Sequence, residues 1–391
     1  MMNPALKENK DFLHVLIIGN GFDLAHGLET RYTDFLDSCN NCNSSWFYYF
    51  QSYVLVNEIK KIDETIKTNT ISNERYWYDF EEEIYNIVKN RFRVKALNKS
   101  IQDLLTEPHP FDPNPTVRLT PSSSAAHALC SKKKIKPEEL VSILSNFRLR
   151  TSDLQQTSNT IQVIKTLDSQ LKDGFVKEFV EYLSKQIEKL TQDPKPHFCL
   201  KKLKGGNTNF QKHTLWVLNF NYTPTFQKLY EPTLTKSGIQ VHHCHIHGAL
   251  GEGNLVLGCQ SFTPDDKIDP AWNVFTKHHQ RHRYGTIEKY QELLKELRHF
   301  KGEVAFHIIG HSLARADHAI LKHALCSSRN TAVQDSFISV YYHDEEAHLR
   351  LINNITDMIG EEAVMARVRF IDQHDPERSI LERIHETSKN Q

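Results

Sequence analysis

Four short stretches pair an apolar run with polar residues of types that can do chemistry. They are V-L-I-I-G-N-G-F-D from Val15 to Asp23, W-V-L-N-F-N-Y-T from Trp216 to Thr223, V-H-H-C-H-I-H-G from Val241 to Gly248, and H-I-I-G-H-S-L from His307 to Leu313. In the first, Gly19 and Gly21 mark a tight turn directly after Ile18. Backbone N–H groups in such a turn, together with those opening a following helix, can be directed at an anion. A strand–Gly–X–Gly turn is equally what any α/β chain uses to change direction, so the glycines alone leave both roles open. Asn221 offers a donor and an acceptor without a charge, which suits a sugar hydroxyl or an oriented water. Capping of a helix starting near Pro224 is the alternative for an isolated Asn. His247, followed by the small Gly248, fits general acid/base work.

Histidines 243, 245 and 247 share one face if the strand alternation persists to its end. Three histidines at that spacing invite a metal, but no fourth ligand accompanies them, and no metal site is expected. Gly310, His311 and Ser312 repeat the geometry of the first turn and suit the other end of the same ligand. Asp317, one helical turn further, either faces that cleft or helps to start the helix. The basic run Lys277 to Arg283, K-H-H-Q-R-H-R, could meet phosphate, but a solvated loop is the default reading.

These residues need a scaffold. Strand signals occur before Gly19 and at Leu215–Phe220, Gln240–His247, Leu255–Leu257, Glu303–Ile309, Phe337–Tyr342 and Arg367–Ile371. Helical periodicity intervenes, notably at Thr286–Phe300 and Ala314–Leu325. The alternation predicts an α/β fold with a mostly parallel sheet, in which ligands bind outside the carboxyl ends of the strands. Asn20, Asp23, Asn219, Asn221, His247, His311 and Ser312 stand at those ends.

Between the first two strands the text differs. Tyr32, Phe35 and Leu36 predict a helix within Thr30–Cys39, and Trp77, Phe80, Ile84 and Val88 another over residues 75–97, with Asp79, Glu81, Glu82 and Glu83 on its solvated side. Prolines 108, 110, 113, 115 and 121 and the serines 122–124 give residues 106–137 the composition of a loop or linker. Two amphipathic helices are predicted from Glu138 to Asp193. The expected organisation is thus a first part of the sheet domain over residues 1–105, the linker 106–137, a helical insertion over 138–200, and the remainder of the sheet domain over 201–391.

The chain has 391 residues, with 48 basic and 48 acidic side chains. Formal neutrality gives no field for nucleic acid or an anionic membrane, and no uncharged stretch is long enough to span a bilayer. A cytoplasmic protein is expected. Seven widely spaced cysteines suit reduced thiols, Cys39 and Cys42 included.

Taken in order, G-N-G-F-D-L-A-H-G-L, Y-T-D-F-L, W-Y-D-F-E, N-F-N-Y-T, H-I-H-G and I-I-G-H-S-L-A-R-A-D resemble the AbiH family of bacterial phage abortive-infection proteins over nearly the whole chain. The same landmarks are similar, more distantly, to those of sirtuin-like NAD-binding proteins. That likeness implies a Rossmann-like, sirtuin-like fold with a helical insertion. It also implies Asn221 and His247 as catalytic residues, with Gly19, Asn20, Gly21, Asp23, Gly310, His311, Ser312 and Asp317 on the cofactor-binding side. Only two cysteines, Cys259 and Cys326, follow His247, so the four-cysteine zinc module of sirtuins is missing and lysine deacylation is demoted. The activity implied is hydrolysis of NAD, held as substrate and not as a prosthetic group, to nicotinamide and ADP-ribose. A non-catalytic nucleotide-binding sensor or interaction module in phage defence is the alternative. Since unrestrained NAD loss would kill the host, a phage-derived trigger, a regulatory partner, homo-oligomerisation or a block by the 138–193 helices is expected to control it.

Overall fold

The computed structural model describes residues 12–38, 123–133, 136–144, 160–192, 214–263, 268–326 and 336–373, with single positions and pairs between 46 and 119. The chain divides into two compact units: Met1–Arg31, Val180–Gln260 and Lys277–Gln391 form the first, Tyr32–Phe179 and Ser261–Thr276 the second.

The first unit is built on a six-stranded parallel sheet. Its strands are β1 (Phe12–Ile18), β2 (Thr214–Asn219), β3 (Gln240–His245), β4 (Glu303–Ile309), β5 (Ser336–Tyr342) and β6 (Val368–Asp372). β1, β2, β4 and β5 are short, mostly apolar runs because a sheet covered on both faces buries both sets of alternating side chains, whereas the edge strands β3 and β6 are more polar and less buried. Leu13, Val15 and Ile17 of β1 pack with Trp216, Leu218, Phe306, Ile308, Ile338 and Val340 beneath the helices Ile287–His299, His318–Cys326 and Glu345–Ile359. Leu16 and Ile18 face the other way, among Val217, Phe226, Leu229, Leu234 and Leu190.

The strand order is β3-β2-β1-β4-β5-β6. This is the order of doubly wound dinucleotide-binding sheets, in which the connections reverse direction between the first and fourth strands and leave a crevice at their carboxyl ends. Here the two turns beside that point interlock. The Gly19 amide donates to the Ile309 carbonyl at 3.2 Å and the Gly21 amide to that of Gly310 at 2.8 Å. A Cβ on Gly19 would lie 2.7 Å from the Cα of His311, and one on Gly21 would lie 2.8 Å from the Cα of Gly310. The glycines after β1 therefore have a packing reason independent of any ligand. Gly310 returns the contact: its φ is +61°, and a Cβ there would sit 2.2 Å from the Phe22 nitrogen. Gly310→Ala is expected to cost about 1–3 kcal/mol from the left-handed backbone, and more from the collision. Gly27→Ala, at φ +75° with open space around it, provides the control. Urea midpoints of equal shift for the two variants would remove the collision from the account.

One predicted strand is absent. Leu255–Leu257 forms no strand and joins no ladder. Its polar groups are met elsewhere: the Val256 amide donates to the His247 carbonyl, the Tyr222 hydroxyl to the Val256 carbonyl, and the Gln280 carboxamide brackets Leu257 on both N–H and C=O. A side chain that mimics a neighbouring strand satisfies the backbone without one.

In the second unit the helix Tyr32–Ser38 buries Phe35 and Leu36. The rings of Phe35, Phe50, Phe175 and Phe179 pack on one another, and the Trp46 indole N–H donates to the Leu167 carbonyl. Residues 123–133, within the stretch of linker composition, form a helix that buries Ala125, Ala126 and Leu129. Once the prolines end at Pro121, alanines and leucine restore helix propensity. Helices also occupy 137–144 and, with a π-helical segment at Gln170–Val176, residues 160–179; residues 180–192, also helical, belong to the first unit. Leu105–Thr106 and Arg118–Leu119 pair as a small antiparallel ribbon. Of the expected 75–97 helix, Trp77, Asp79, Phe80, Glu82 and Glu83 lie outside the described residues, as do Cys39 and Cys42; Ile84 and Val88 are helical and buried. Among the described residues, no helix is long and apolar enough to cross a membrane.

Candidate active site at the carboxyl ends of the central strands

Two polar clusters of the first unit meet around Phe220, the residue after β2. The first is organised by N-F-N-Y-T. Asn219 Oδ1 accepts the Asn221 amide at 2.8 Å, bending the chain just beyond the strand, and Asn221 Nδ2 donates to the Gly19 carbonyl at 3.0 Å. Asn221 thus ties the end of β2 to the turn after β1, leaving its Oδ1 without a hydrogen bond among the described residues. The helix that follows runs from Thr225 to Leu229 without a side-chain cap, so Asn221 does not cap it.

Asp23 lies beneath the same turn, 1% exposed. The Thr225 hydroxyl donates to Thr223 Oγ1, and the Thr223 hydroxyl to Asp23 Oδ2, while Asp23 Oδ1 is buried with no partner. Burial raises the carboxyl to about 7, the threonine hydrogen bonds opposing it. Below the ordinary value of 3.8 both folded and unfolded forms are protonated. Between there and pH 7 only the unfolded chain loses its proton, so this group erodes stability as pH rises through that window. Asp23→Asn is expected to flatten the loss between pH 4 and 7 and to be the more stable protein above it. Parallel curves of urea midpoint against pH would sink the assignment. Asn20, beside it, accepts the Thr30 hydroxyl on its own Oδ1.

The second cluster centres on Asp317, in the 3-10 turn Arg315–Asp317 after β4. Its Oδ1 accepts Lys277 Nζ at 3.0 Å and Arg281 Nη2 at 3.2 Å, and stands 3.1 Å from His247 Nε2. Arg281 Nη2 is itself 3.0 Å from His247 Nε2. His311 Nε2 is 3.8 Å from Asp317 Oδ2, while its Nδ1 accepts the Leu313 amide. The rings of His247 and His311 both meet Phe220 edge-on, at centroid distances of 5.4 and 4.3 Å. Burial, reinforced for His247 by Lys277, lowers His247 to about 3; burial lowers His311 to about 4. Burial alone would raise the Asp317 carboxyl, but the charges beside it, Lys277 foremost, hold it well below the usual carboxylate range.

Of the residues expected at the site, His247, His311 and Asp317 are brought together, while Asn221 is bonded to the Gly19 carbonyl and follows Phe220, whose ring meets both histidines. Gly19, Gly21 and Gly310 form the interlocked turns, with the amides of Gly19 and Gly21 already bonded. Ser312 is exposed, its carbonyl accepting the Asn354 amide. Histidines 243, 245 and 247 do not share a face, because β3 ends at His245 and a turn closed by the Gly248 amide carries His247 away. His243 pairs with Glu231 and His245 with Gln227. Among the described residues, no group of three or more His, Cys, Asp or Glu could hold a metal ion.

The basic run is not a solvated loop. It is the helix Lys277–Arg283, in which Lys277 and Arg281, four residues apart, share the buried face and are 1% and 5% exposed. Sequence reasoning missed them because neighbouring histidines and Arg283 make the run look uniformly polar. The i, i+4 spacing was the available signal.

No solved structure matches the chain significantly. The family model described as bacteriophage abortive infection AbiH matches residues 15–339, which takes in both turns, N-F-N-Y-T, H-I-H-G and the Asp317 cluster. The chain belongs to the AbiH family of phage abortive-infection proteins.

Proposed function

We propose that this protein serves abortive infection as an effector that hydrolyses NAD to nicotinamide and ADP-ribose. The observation that carries the reading is the buried His247–Asp317 pair beyond the carboxyl ends of β3 and β4, with Asn221, after β2, bonded to the Gly19 carbonyl. Ligands of such sheets bind at that edge. The resemblance of the motifs to those of sirtuin-like NAD-binding proteins supports NAD as the ligand.

In this reading a water held by Asn221 Oδ1 attacks C1′ of the nicotinamide ribose as the C–N bond breaks through an oxocarbenium-like state, comparable in charge to that of glycoside hydrolysis. The bonding pair leaves with nicotinamide, which departs neutral from a cationic precursor and needs no proton. The water's proton passes to His247. Lys277 and Arg281 contribute positive potential toward the anionic part of the dinucleotide.

Purified protein, alone and with infected-cell lysate, is to be assayed for NAD loss and nicotinamide release beside Asn221→Ala and His247→Ala. Turnover lost in both variants supports the hydrolase. A specific feature favours a second reading, a non-catalytic nucleotide sensor: among the described residues, the only His247 nitrogen with a hydrogen-bond partner, Nε2, is clamped between Arg281 and Asp317. Saturable NAD binding without turnover in either condition would select it.

A further inference from the structure

His247 Nε2 has two neighbours that make opposite demands. Arg281 can only donate and does not lose its proton, whereas ionised Asp317 can only accept. They stand 3.0 and 3.1 Å from the same nitrogen, and a neutral imidazole can satisfy one of them. Nδ1 carries no hydrogen bond among the described residues. Which neighbour owns Nε2 therefore decides what Nδ1 presents to the site.

If Nε2 carried the proton it would face an Arg281 N–H, donor against donor. If Nε2 is bare, Arg281 Nη2 lies between two acceptors, His247 Nε2 and Asp317 Oδ1, and has one hydrogen for each. Asp317 Oδ1 already receives Lys277 and Arg281 and needs nothing from the imidazole. The cationic Nη2 also offsets the remaining acceptor-to-acceptor approach.

We propose that Arg281 is a positioning residue that holds His247 with its proton on Nδ1, where it cannot act as a base, and that Asp317 supports the active tautomer once Arg281 is drawn away. The device rests on the reading of His247 as the site's proton acceptor. With Arg281 displaced, Nε2–H donates to Asp317 and the Nδ1 lone pair is exposed, the orienting role that a carboxylate plays toward a catalytic histidine in hydrolases. An anionic ligand group competing for the Arg281 guanidinium, whose Nε is buried and unpartnered, would couple binding to that change.

The test is a long-range 1H–15N correlation spectrum of full-length protein labelled at histidine, with His247→Gln identifying the signal. The expected result is a proton on Nδ1 in the wild type and in Arg281→Lys, which keeps a donor, and its transfer to Nε2 in Arg281→Met. A wild-type proton already on Nε2, or an unchanged tautomer in Arg281→Met, would overturn the proposal. Should Arg281→Met fail to fold, the wild-type spectrum alone decides, since the proton's position is the claim. The spectra contain no NAD, so they judge the role of Arg281 whether or not nicotinamide is released; the release assay judges the hydrolase separately.

Discussion

His247→Ala is expected to lower nicotinamide release by roughly a hundred- to ten-thousand-fold, the usual worth of a positioned general base. In the proposed hydrolase the loss should fall on kcat and kcat/KM alike, because there the ring would take a proton only as the bond to nicotinamide breaks. The pH dependence sharpens this. An ordinary histidine base switches off below its usual 6.5, but His247, lowered to about 3 by burial and by Lys277, stays unprotonated well below that. The kcat/KM profile should therefore show no acid limb attributable to this residue between pH 7 and 5. A limb centred near 6.5 that disappears in the variant would refute the buried, cation-flanked description of the ring. Activity retained by His247→Ala would remove the residue from the mechanism altogether.

Asp317→Ala is expected to have the largest effect on stability, about 3–5 kcal/mol, because it takes the shared carboxylate away from Arg281 and Lys277 inside the protein. Those two side chains are 6% and 2% exposed, so water does not readily replace it. Asp317→Asn keeps the volume and one acceptor but not the charge, and should fall between wild type and alanine. The pH at which this is measured matters. A carboxyl held below its ordinary 3.8 contributes stability that is complete above that value and is lost as pH falls through the lower folded one. The difference in urea midpoint should be full at pH 7 and shrink below pH 4. A difference under about 1 kcal/mol at pH 7 would mean that the cluster is solvated and worth no more than a surface pair.

What the sequence made legible followed from how much each signal depends on distant residues. Val15–Ile18 and Val304–Ile309 are buried on both faces, so composition alone marks them as strands. The polar residues after them were legible as a site because a parallel sheet puts ligands at that edge. Leu255–Leu257 is just as apolar, yet the Gln280 side chain supplies its partner, and no local pattern announces a side chain 23 residues away. Lys277 and Arg281 were hidden for the complementary reason. Their burial depends on Asp317, 40 and 36 residues further on, and without it a basic run belongs in water. The turn glycines were read as a tight turn open to an anion, but what lies against them is the other turn.

The position of β1 in the sheet has a consequence for the order of events during synthesis. Leu13 pairs with Thr214 on one side and Val304 on the other, so this first strand waits about 200 residues for one neighbour and about 290 for the next. At ribosomal rates of about 5–20 residues per second, that delay is roughly 10–60 s. During it, this buried strand has no neighbour to pair with. The Gly19 turn, Asn221, His247 and Asp317 are held together by those late pairings. The nascent chain therefore carries no assembled site until β4 and the turn beyond it have emerged.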